Sequence, residues 1–158
     1  MATLSPLFLR DDELEQALQL FWLAERDLME AGARILERRN LAVLDYLILF
    51  FLLRRPDSTL AELCILTGAS KQSLSRHVAK LRAAGYVGAG SARGDRRAKP
   101  LRLTEAGREL LAPAIAAQKR HLSRIFRDLG APAVEGFLRV LAGLAEARTR
   151  RLLPGAGF

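Results

Sequence analysis

One cysteine, two histidines and one tryptophan in 158 residues leave little room for several kinds of chemistry. Cys64 stands alone, so no intrachain disulfide can form. It shares a face at helical spacing with Leu60, Leu63 and Thr67, which predicts a packing role rather than a reactive thiol. His77 and His121 are far apart in the chain, and no metal-ligand spacing is present. A phosphate-binding glycine loop and a nucleophile-base pairing are also missing, so neither a cofactor nor enzymatic activity is expected.

Long apolar runs are equally scarce. The longest, Leu41 to Leu53, is interrupted by Asp45 and is too short to cross a bilayer. The opening MATLSPLFLRDDELEQ lacks the ordered basic, apolar and small-residue regions of a secretory signal, so a cytoplasmic location is expected. Acids are in deficit: 17 Asp and Glu stand against 25 Lys and Arg, a net charge of +8. Such a surface is attracted to polyanions, either nucleic acid or an anionic membrane. The basic residues gather on a turn and a polar helix with no exposed apolar face beside them, which disfavours the membrane.

What remains is a chain half apolar, able to bury a core as one domain with attached helices. Residues 11 to about 38 read as a helix with acids at its start and bases at its end. A second helix, about Leu41 to Arg54, is apolar nearly all round and therefore central; Pro56 ends it. Thr59 and Glu62 form a capping box for a short helix ending near Thr67. Gly68 supplies a turn and Ser70 an N-cap for the next helix, and the pair reads as a helix-turn-helix. YVGAG and PLRLT then read as two strands around a basic turn at Arg93, Gly94 and Asp95. Thr104 caps a long helix in which Pro113 predicts a kink, and after GAP at 130–132 a last helix runs to about Leu152.

The helix SKQSLSRHVAKLRAAGYV has few apolar residues, but they are ordered. At ~100° per residue, Val78 and Leu81 fall within about 40° of Leu74, and His77 lies about 60° away as a partly buried packing residue. The far side carries Gln72, Ser75, Arg76, Ala79, Lys80 and Ala83. Donors and cations interleaved with alanines suit close approach to a major groove, led by Lys71 to Arg76. A solvated amphipathic face is the plain alternative for this helix taken alone. Its surroundings decide otherwise: Ser70 to Leu103 holds Lys71, Arg76, Lys80, Arg82, Arg93, Arg96, Arg97, Lys99 and Arg102 against the single acid Asp95. The first helical region, Asp11 to Glu30, is acidic apart from Arg26.

These residues resemble the MarR family of bacterial transcriptional regulators. The most specific stretch, GDRRAKPLRLTEAG from Gly94 to Gly107, is similar to that family's wing and the L-T-x-x-G helix start that follows it. The order of elements matches over essentially the whole chain, and within the family SKQSLSRHVAKLRAAGYV is closest to the PetP-like subgroup. The resemblance implies a mainly α fold with a small β-hairpin wing. A winged helix-turn-helix at 40–103 would sit between dimerisation helices at 1–39 and 104–158. It implies a homodimer on double-stranded DNA at a pseudo-palindromic operator, with half-sites about one helical turn apart.

The expected DNA contacts are Ser70, Lys71, Gln72, Ser73, Ser75, Arg76 and Lys80 on the helix, with Arg93, Asp95, Arg96 and Arg97 on the wing. By resemblance, Arg97 enters the minor groove and Asp95 orients it, which suits the enhanced negative potential there. The family also implies a small aromatic or phenolic effector, for which Phe21, Trp22, Tyr46 and Phe50 are candidate lining residues. Aromatic pairs at helical spacing have core or dimer packing as their ordinary reading. The competing functional reading is a winged-helix module for protein interaction or nonspecific architectural DNA binding.

Overall fold

The structure, a computed structural model, describes residues 10–91 and 99–152. They form helices α1 (Asp11–Glu37), α2 (Val43–Arg54), α3 (Leu60–Thr67) and α4 (Lys71–Ala83), strands β1 (Val87–Ala89) and β2 (Leu101–Leu103), and helices α5 (Glu105–Leu129), α6 (Ala131–Leu144) and α7 (Ala147–Arg150). This is the mainly α, winged helix-turn-helix arrangement expected from the sequence.

Local chemistry explains where the elements begin. Asp11, Asp12 and Glu13 occupy the first turn of α1, where acids offset the helix dipole, and the Arg10 N–H donates to Glu13 Oε2 at 2.8 Å. The Thr59 N–H donates to Glu62 Oε2 at 2.7 Å while Thr59 Oγ1 accepts from the Glu62 N–H at 3.2 Å, completing the capping box of α3. Gly68, at φ +69°, makes the left-handed turn into α4, and Ser70 Oγ accepts from the Ser73 N–H at 3.2 Å.

The core gathers around α2, whose Tyr46, Ile48, Leu49 and Leu52 are buried. The narrow inner stripe of α4, Leu74, Val78 and Leu81, is buried against it together with Leu63 of α3. Strands β1 and β2 are antiparallel, with Val87 opposite Leu103 and Ala89 opposite Leu101. Leu101 and Leu103 turn inward, while Arg102 between them turns outward, as the two-residue period of a strand requires. Helices α1 and α5 pack along one another, and α6 returns onto α5.

One expectation changes. Helix α5 continues through Pro113, but the last helix does not reach Leu152 unbroken: Ala145 and Glu146 take extended conformations and separate α6 from α7. Gly143 weakens the last turn of α6 just before this site. The extended pair redirects the chain so that α7 packs on α3 and Arg55 Nη1 donates to the Leu152 carbonyl at 3.3 Å. Leu111 of α5 is fully buried and joins the core of its own subunit.

Candidate nucleic-acid interface

Burying Leu74, Val78 and Leu81 turns the opposite face of α4 to solvent. Ser70, Lys71, Gln72, Ser75 and Arg76 are exposed there, and Ser73 is half-buried at the rim. Among the described residues, Lys71 and Arg76 form no ion pair, so their charges are available to an outside anion. The helix presents cations, an amide and a hydroxyl along one side, the donor set that reads base edges and phosphates.

Lys80 is placed differently from its neighbours. Its ammonium donates to the Asn40 carbonyl at 2.7 Å and to Asp45 Oδ2 at 2.9 Å, so part of its charge is already engaged. The Asp45 carboxylate is fully buried and is also bonded by His77 Nδ1 at 2.7 Å and by the Ala42 N–H at 2.9 Å. Burial pushes the Asp45 pKa upward, but the hydrogen bonds from Lys80, His77 and Ala42 outweigh it and hold the carboxyl below its usual range. With Asp45 ionised, His77 Nδ1 must carry the proton. In the sequence, Asp45 reads only as an interruption of an apolar run and His77 as packing. The available signal was the acid itself, since a lone carboxylate in a buried helix needs partners.

The L-T-x-x-G motif has a mechanical explanation. Leu103 is buried, and Thr104 Oγ1 donates to the Gly85 carbonyl at 2.7 Å while accepting from the Gly107 N–H at 3.1 Å. A Cβ at Gly107 would overlap the Tyr86 carbonyl oxygen. These contacts join the end of the recognition-helix turn to the start of α5. The expected wing contacts Arg93, Asp95, Arg96 and Arg97 lie outside the described residues. Arg102 at the wing's base is paired with Asp57, its Nη2 lying 2.7 Å from Oδ2.

The four candidate effector aromatics fall into two groups. Tyr46 and Phe50 stack at 6.1 Å on α2, and the buried Tyr46 hydroxyl donates to Gln118 Oε1. Gln118 Nε2 in turn donates to the Leu28 carbonyl at 2.9 Å, tying α1, α2 and α5 together. Burial raises the Tyr46 pKa, the Gln118 bond opposing it. Phe21 and Trp22 meet edge to face at 5.6 Å on α1. Phe21 lines an apolar cleft of about 610 Å³ between α1, α5 and α6, with Leu28, Ile125, Phe126, Phe137 and Leu141; Trp22, Tyr46 and Phe50 do not line it. Among the described residues, no helix is long and apolar enough to cross a membrane.

Comparison with known proteins agrees with this geometry. Residues 39–98, which hold α2, the helix-turn-helix and β1, match the MarR family model. The HTH-type transcriptional regulator PetP of Rhodobacter capsulatus is 31% identical over 145 residues, spanning 92% of this chain and 87% of that protein. The crystal structure of NadR in complex with 4-hydroxyphenylacetate superposes with a TM-score of 0.70 at 23% identity, covering 93% of this chain and 99% of that one. The MarR family protein Rv2887 of Mycobacterium tuberculosis, crystallised with p-aminosalicylic acid, gives a TM-score of 0.58 at 25% identity, covering 81% of this chain and 97% of that one. A winged helix-turn-helix with a free basic reading face, matched over nearly its whole length by a curated regulator, identifies the chain as a member of the MarR family of DNA-binding transcriptional regulators.

Proposed function

We propose that this protein binds a pseudo-palindromic operator as a homodimer, each subunit placing α4 in a major groove and its wing in the adjacent minor groove. The observation that carries the reading is the division of α4: a buried inner stripe, and an outer face on which Lys71, Gln72, Ser75 and Arg76 stand exposed. Ser70, Ser73 and Lys80 would contribute at the margins of that face, with Arg93, Asp95, Arg96 and Arg97 on the wing. Residues 40–103 then form the DNA-binding part, and 1–39 with 104–158 the dimerisation part. Membership in a regulator family supports a binding protein rather than an enzyme, and DNA as partner supports a cytoplasmic location.

The dimer reading rests on unpartnered apolar surface. Leu18, Trp22, Val140 and Leu144 are each about 60% exposed in the single subunit, and α6 buries none of its residues. With the cleft between α1, α5 and α6, these faces fit helices of a second copy. The aminosalicylic acid bound by Rv2887 supports a small aromatic acid as effector. Such a ligand would favour a dimer whose recognition helices no longer match the groove spacing.

Selection from a randomised duplex pool at near-physiological salt tests this reading. Enrichment of one inverted repeat is expected. Binding without enrichment would favour nonspecific architectural binding, and a monomeric mass at micromolar concentration would remove the dimer.

A further inference from the structure

Asp57 is a non-glycine residue at φ +65°, a conformation that costs side-chain-bearing residues energy and that Asp and Asn tolerate best. Its carboxylate is nearly buried, with 7% of the side chain exposed, although it lies in the short connection between α2 and α3. Oδ1 accepts from Arg102 Nε at 3.1 Å and from the Ser91 N–H at 2.8 Å, and Oδ2 accepts from Arg102 Nη2 at 2.7 Å. Both stems of the wing are therefore held by one side chain: Ser91 just beyond β1, and Arg102 in the centre of β2. Gly90 fits the same contact, because a Cβ there would stand 2.5 Å from Asp57 Oδ1. The neighbouring Ser58 carbonyl accepts from the Leu101 N–H at 2.9 Å, making a bridge to the outer side of β2.

From this arrangement we infer that Asp57 is a positioning residue for the wing, which clamps its two stems to the α2–α3 connection and so sets the angle at which the wing meets DNA. The inference rests on the proposed minor-groove role of the wing. The two-point hold on Arg102 matters because a guanidinium bound through two nitrogens is fixed in direction as well as position. Arg102 consequently acts within the protein, although its charge and its place in the basic segment suggest a phosphate contact. A clamp outside the reading helix alters minor-groove engagement without altering the base edges that α4 reads.

The test compares wild type, Asp57→Asn, Arg102→Gln and Arg97→Ala on the duplex enriched by the wild-type protein. Hydroxyl-radical cleavage reports the minor groove and guanine N7 methylation reports the major groove. Arg102→Gln alters an exposed side chain and leaves the Asp57 backbone as it is, so it serves if Asp57→Asn fails to fold. The expected result is loss of minor-groove protection in Asp57→Asn and Arg102→Gln, with guanine protection retained at saturating protein and affinity lowered about tenfold, the scale of one lost charge-assisted bond. Wild-type minor-groove protection in both clamp variants, alongside its loss in Arg97→Ala, overturns the clamp and leaves the wing reading intact. Wild-type protection in Arg97→Ala as well removes the minor-groove reading and the clamp with it.

Discussion

His77 Nδ1 lies 2.7 Å from Oδ1 of Asp45, joining the recognition helix to a fully buried carboxylate on α2. Lys80, one turn further along α4, bonds the other oxygen, so a single acid sets the roll of the helix that faces outward. Because the folded-state pKa of Asp45 is lowered, its ionised form stabilises the fold above the unfolded value, and that contribution is lost as pH falls through the folded one. Asp45→Asn is expected to lower stability by about 2 kcal/mol at neutral pH and to flatten the pH dependence below about pH 4. Urea titrations at pH 7 and in acid check both; an unchanged midpoint at pH 7 would show that the cluster contributes nothing net.

Arg76 and Lys80 share the outer part of α4 but differ in what they touch. Arg76→Ala is expected to leave thermal stability unchanged, cost about 1–3 kcal/mol on the selected operator and relax preference for particular bases. Lys80→Ala is expected to lower the melting temperature, since it leaves Asp45 short of a partner. Melting curves paired with titrations on operator and mixed-sequence duplex separate the two roles. Equal losses on every duplex for Arg76→Ala would contradict base reading.

Arg97→Ala addresses the wing directly. Loss of one phosphate-region cation is expected to weaken binding evenly across sequences and reduce the salt slope by about 1. A measured slope equal to that of wild type would place Arg97 away from the DNA.

Gly107→Ala should be far more damaging than a usual helix glycine replacement, because its Cβ would overlap the Tyr86 carbonyl and crowd Leu103. A loss of about 3 kcal/mol is expected. Thr104→Val, which removes the N-cap oxygen while keeping the shape, is expected to cost about 1 kcal/mol. Chemical denaturation ranks the pair, and an alanine variant as stable as wild type would mean that the turn after α4 and the start of α5 shift apart freely.

Val140→Glu puts a charge on the exposed face of α6 without disturbing any buried contact of its own subunit. Sedimentation equilibrium is expected to give twice the 17.4 kDa chain mass for wild type and a single chain for this variant, with weakened operator binding. A variant that stays dimeric would move the interface away from α6.

Much of the fold was legible in the sequence because its causes are local. The caps at Thr59, Ser70 and Thr104 depend on atoms three residues away, and the stripe Leu74, Val78, Leu81 depends only on helical period. The reading face of α4 followed from that stripe, since burying one side leaves the other outside. Sequence alone did not reveal which charges on that surface are free. Lys80 meets Asp45 from 35 residues away and Arg102 meets Asp57 from 45, pairings that exist only once α2 packs on α4 and β2 lies against the α2–α3 connection. The break at Ala145 and Glu146 likewise is announced by no more than Gly143 in the turn before it, and goes with the packing of α7 on α3. Periodicity and capping are written into neighbouring residues, whereas the partner of a charge is chosen by tertiary packing.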